Sequence, residues 1–115
     1  VPIDDPHSFY LEARFQRVCA VTGKSGEFEA HHTIKAQTLR QRGLPTHDPR
    51  GALRLTHRAH EQHTNRVRVV KTKELTSQNI LYAFEVLGPF AADYLVREYD
   101  DQDPDPRIVE AAHAA

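Results

Sequence analysis

The sequence predicts an α+β fold in which a small β element sits among helices, and three observations carry that prediction. Ile80, Phe84 and Leu87 recur at i, i+4 and i+7 between a Thr76-Ser77 start and a Gly88-Pro89 stop, the pattern of a capped amphipathic helix. Ala52 to Leu55 sets two leucines in alternation with small or polar residues, as on a short strand. Gly23 and Gly26 bracket a tight turn between two short segments that can pair. The 115 residues have room for one compact domain. The boundaries expected are an arm over 1–6, a domain over 7–99 and an acidic, flexible tail over 100–115.

Taken in order, Val1 to Pro6 shows no periodicity and reads as an irregular arm. From His7 to Val18, the residues Phe9, Tyr10, Ala13, Phe15 and Val18 fall near helical spacing. Cys19 to Gly26 reads as a hairpin, with the pair His31-His32 following its second strand. Ala36 to Arg42 can form one or two helical turns, stopped by Gly43 and Pro45. After the loop Leu44 to Gly51 and the strand Ala52 to Leu55, the Thr56 hydroxyl can cap a helix running to about Arg66. Thr76 or Ser77 opens the next helix, Gly88 ends it, and Pro89 suits the first turn of a last helix that buries Ala91, Tyr94 and Leu95. The Asp-rich run from Asp100 to Pro106 has too little apolar content to pack by composition alone.

Composition excludes several classes. A single cysteine, Cys19, rules out an intramolecular disulfide and a four-cysteine zinc knuckle, and reads as a small buried hydrophobe. No run approaches the roughly 20 apolar residues of a membrane span, and the start lacks the layout of a signal peptide, so no membrane partner and a cytoplasmic location are expected. The net charge of −1 hides a strong segregation. Residues 11–75 hold 13 Lys and Arg against 6 Asp and Glu, whereas the flanks hold 2 against 10. A basic middle of this kind suits a polyanion, while the plainer alternative is an ordinary solvated surface.

Eight histidines are present, and their placement matters more than their number. His31 and His32 are adjacent, and some thirty residues later one helix carries His57, His60 and His63. Residues three apart on a helix lie about 60° apart around its axis, so His60 and His63 can face one site together. Two segments can therefore converge on one ion, and with the cysteine half of the ligand set missing, zinc-finger wiring is disfavoured.

His31-His32, then Asp48-Pro49-Arg50-Gly51-Ala52-Leu53-Arg54-Leu55, then His60-Glu61-Gln62-His63-Thr64-Asn65-Arg66 together resemble the core of the HNH endonucleases, particularly phage and prophage members. Cys19-Ala20-Val21-Thr22-Gly23 and the stretch Leu75 to Tyr99 extend the likeness. The resemblance implies a ββα-metal core over about 17–68, an N-terminal helix and a two-helix extension over 76–99. It implies a metal-dependent nuclease acting on DNA, with phage packaging proteins or a second copy as further partners and the host cytoplasm as its location. By position, His32 matches the general base and His31 and His60 the metal ligands. His63 stands where some members place a third ligand, though at a spacing of three rather than four. Neutral imidazoles favour one divalent ion such as Zn, Ni, Co or Mn, with Mg admissible if water and phosphate complete its shell. Lys35, Arg50, Arg58 and Arg66 are the candidate phosphate contacts. One position departs from the family: Gly51 stands where an Asn ordinarily ties down the loop beside the base. Either His47 or Asp48 takes over that task, or the loop is looser and activity lower. A nuclease-like fold that binds DNA or a partner without cutting it is the alternative reading.

Overall fold

The computed structural model describes residues 1–114 as an α+β fold. In chain order its elements are α1 (Pro6–Phe15), β1 (Glu29–His32), α2 (Ala36–Gln41), β2 (Ala52–Leu55), α3 (His57–Thr64), α4 (Ser77–Leu87), α5 (Ala91–Glu98) and α6 (Pro106–Ala114). The two strands pair antiparallel, with Glu29 opposite Leu55, His31 opposite Leu53 and His32 opposite Ala52. Because side chains alternate across a strand, the pair divides the interior. Leu53 and Leu55 enter the main core with Ile34, Leu39, Val70, Ile80, Leu95 and Tyr99. Ala52 packs on the other side with Phe9 and Ala13 of α1, joined by Ala30 and Phe28.

Local chemistry sets the helix ends where the sequence placed them. Thr56 Oγ1 accepts the Ala59 N–H at 3.1 Å, capping α3. Thr76 and Asn79 cap each other reciprocally at the start of α4. Gly88, at φ 60°, closes α4 in a conformation that favours glycine. Pro89 falls in a short 3-10 turn before α5 rather than in the helix itself. α1 stops at Phe15, earlier than expected, because Arg17 takes a left-handed φ of 70°. Phe15, and Val18 beyond the helix, are exposed, and only Phe9 and Ala13 of α1 are buried. Cys19 is buried as expected. No helix among the described residues is long and apolar enough to cross a membrane.

Two expectations are corrected. Cys19 to Gly26 is a looped turn, not a hairpin: the Cys19 N–H donates to the Lys24 carbonyl and the Gly23 N–H to the Cys19 carbonyl, so the segment closes on itself. The strand carrying the His pair is β1, which pairs with β2 instead. The acidic tail is docked, not loose. Asp101 accepts from the Thr72 N–H and hydroxyl at 3.0 and 2.7 Å, Asp105 accepts from the Arg107 N–H, and α6 sinks Ile108 to 2% exposure. Composition treats these aspartates as solvated charge, whereas here they work as backbone acceptors and helix caps. The arm is irregular as far as Asp5 but tied: Ile3 N–H donates to Asp48 and Asp5 N–H to the His47 carbonyl.

Candidate metal and nucleic-acid site

β1 and α3 lay their histidines along one open cleft of about 270 Å³, lined by His31, His32, Lys35, His60, His63 and Arg66, with Glu98 at its wall. The ring of His31 lies 5.3 Å from that of His60 and 4.9 Å from that of His63, centroid to centroid. The hydrogen bonds around each ring decide which nitrogen keeps a lone pair.

Tyr99 donates its hydroxyl to the Thr33 carbonyl at 2.6 Å, so at 3.0 Å it accepts from His31 Nε2–H. The His31 lone pair is thereby left on Nδ1. His60 directs Nδ1 at a Glu29 carboxylate oxygen 2.7 Å away, which in the neutral ring leaves the lone pair on Nε2. Such partners are what orient a ligating imidazole. His63 differs. Its Nδ1 accepts the Val70 N–H at 3.0 Å, so in the neutral ring the proton sits on Nε2, 3.7 Å from Glu98. His63 is spent on the fold, stacked on Tyr99 and buried, and its expected role as third ligand is not what its hydrogen bonds favour. In keeping with this, no group of three or more His, Cys, Asp and Glu among the described residues forms a ready metal cage. The donor set fits a divalent ion held by two imidazoles, with oxygens from water or phosphate completing its shell.

His32 sits on the opposite face of β1 from His31, against Phe9 at 4.5 Å and His47 at 5.2 Å between ring centroids. Its Nε2 is buried and has no hydrogen-bond partner. Burial, then the neighbouring His47, holds the His32 pKa below the ordinary imidazole value despite a contact with the Thr46 backbone. Burial and the imidazoles of His63, His60 and His32 hold His31 lower still. Both rings are neutral at neutral pH.

The candidate phosphate contacts separate into two groups. Lys35 Nζ lies 3.3 Å from a Glu98 carboxylate oxygen and Arg66 Nη2 lies 3.6 Å from the other, so two cations stand at the cleft mouth on one shared acid. Lys35, His63 and Arg66 together hold the Glu98 carboxylate low despite its burial. Arg58 is exposed in a separate hollow with Thr22, Lys24 and Gln62. Arg50 stands apart from the cleft: its guanidinium grips Asp48 through Nε at 3.0 Å and Nη2 at 2.7 Å, pairs with Glu85 and lies over the Tyr82 ring. Asp48 does order the loop, accepting from the Ile3 and Arg50 N–H groups while 1% exposed. Gly51 lies flush on α4, where an added Cβ would meet Tyr82 Cε2 at 2.7 Å.

Sequence reasoning missed Glu29, Asn79, Glu98 and Tyr99. Glu29 was findable, since strand alternation puts it on the face of His31. Tyr99 reaches His31 across 68 residues and leaves no local signal. Comparison with family models, curated proteins and solved structures finds no match.

Proposed function

We propose that the chain is a metal-dependent endonuclease of the HNH type, with β1, β2 and α3 serving as its ββα-metal core. The observation that carries this reading is that His32, whose Nε2 has no partner in the fold, lines the same cleft as the lone pairs of His31 and His60. A neutral imidazole on the wall of a cleft that also holds two prospective ligands is the arrangement that phosphodiester hydrolysis needs. A divalent ion held by His31 Nδ1 and His60 Nε2 would supply stabilisation of the negative charge that builds on the phosphate and the departing 3′ oxygen.

The remaining work falls to the chain. His32, neutral at neutral pH, takes the proton of the attacking water. Lys35 and Arg66 leave Glu98 for the DNA phosphates, which they position without reading sequence. Glu29 and Tyr99 keep the two ligand rings turned toward the cleft.

The test is cleavage of supercoiled plasmid by metal-stripped protein, with Mg, Mn, Co, Ni and Zn added in turn. Nicked or linear product that appears only with an added ion is the expected result. Retained DNA binding with no product under any ion would overturn the nuclease reading and favour a DNA-binding protein that does not cut.

A further inference from the structure

Asn79 is fully buried in the first turn of α4, and all of its side-chain amide is engaged. Its Oδ1 accepts the Thr76 N–H at 3.1 Å. Its Nδ2 donates to the carbonyls of Arg50 at 2.9 Å and Ala52 at 3.0 Å, the two residues flanking Gly51. From the other side, the Gly51 carbonyl accepts the Thr33 N–H and hydroxyl, each at 2.9 Å. The three-residue turn is therefore gripped between α4 and the residue after His32, and Ala52 is the register partner of His32 itself.

We infer that Asn79 positions the His32 wall of the cleft by clamping the turn from Arg50 to Ala52; its catalytic consequence rests on the nuclease reading above. No side chain at position 51 can do this, because the Cβ would strike Tyr82. Asp48 is an acceptor and cannot serve carbonyl oxygens, and His47 is occupied with Thr46 and Asp4. Gln16 donates to the Ala52 carbonyl alone, at 2.8 Å. Asn79 is the side chain that bridges Arg50 and Ala52.

The experiment is Asn79→Asp in the full chain, which keeps an acceptor for the Thr76 N–H and turns the two donors into an acceptor. Residue-resolved amide hydrogen exchange is read at Thr33, whose N–H donates to Gly51, and at Tyr99, whose N–H donates to Leu95 in α5. Plasmid-cleavage kinetics are read alongside, well below the melting temperature. The clamp predicts that Thr33 exchanges faster by about tenfold or more while Tyr99 changes less than about twofold. In the kinetics, kcat falls by about tenfold with KM nearly unchanged, because Lys35 and Arg66 lie on other segments. Unchanged protection at Thr33, or equal loss at Thr33 and Tyr99 with kcat intact, would overturn it. If the aspartate variant does not fold, Asn79→Ser is read by the same pair of amides. A native protein that cuts no DNA under any ion removes the nuclease reading, while the exchange pair still decides the clamp.

Discussion

On β2, the Ala52 carbonyl receives two side-chain donors, from Gln16 and Asn79, and the carbonyls of Arg50 and Gly51 beside it are likewise engaged. Directly across the strand pair, His32 Nε2 is as deeply buried and has no partner. Leaving a buried polar atom unpaired costs about 1–3 kcal/mol; Arg54 Nε on β2 is a second such atom, but its guanidinium is held through Nη1 and Nη2, whereas His32 faces the cleft. The contrast separates atoms that hold geometry from atoms held ready. The same division runs through the histidines: His63 is satisfied by Val70, whereas His31 and His60 each keep a lone pair toward the cleft.

The histidines give the sharpest way to break this division. His60→Ala is expected to weaken Co(II) or Zn binding by about a hundredfold, measured by absorption or calorimetric titration. His63→Ala is expected to leave metal affinity within about threefold but to cost about 1–3 kcal/mol in denaturant unfolding, because the Val70 N–H loses its acceptor. Equal loss of metal affinity in the two variants would restore His63 as a ligand.

Position 51 tests the satisfied side. Although the family resemblance suggests that restoring an asparagine would help, Gly51→Asn is expected to destabilise by about 1–3 kcal/mol with no gain in cleavage, since its Cβ must displace the buried Tyr82. A more active variant would show that the turn has room the structure denies. The arginines repeat the contrast on a smaller scale. Arg50→Ala is expected to cost about 1–2 kcal/mol of stability, discounted for its partial exposure, and to leave DNA affinity unchanged. Arg58→Ala should leave stability within about 0.5 kcal/mol and reduce the salt slope of DNA binding by about 1.

The smallest effect is in pH. His31 is neutral in the folded protein, with a pKa well below the ordinary value of 6.5, whereas in the unfolded chain it protonates near that value. Below it the unfolded state binds more protons, so the stability His31 contributes is full above 6.5 and is lost as pH falls from there. The melting temperature should drop between pH 7.5 and 5.5, and His31→Gln should flatten that drop.

Much of this was legible in the sequence where the signal is local. Thr56, Thr76 and Gly88 mark helix ends because their work is done within one turn, and His31, His32 and His60 stood out by adjacency and spacing. The looped turn at Cys19 to Gly26 misled because glycines that permit a hairpin also permit a closed loop. The tail misled because Asp101 and Asp105 are explained only by Thr72 and Arg107, a contact composition cannot register. Asn79 carries no signal of its own in the sequence, and its task is visible only once the turn from Arg50 to Ala52 lies against α4.

The most direct measurement of the central claim is single-turnover plasmid cleavage by His32→Ala beside the native chain, each loaded with the same divalent ion and with metal occupancy measured on the same samples. The account predicts equal occupancy and a rate lower by about a hundredfold or more, as removal of a general base requires. A variant that cuts at the native rate with its metal in place would contradict it.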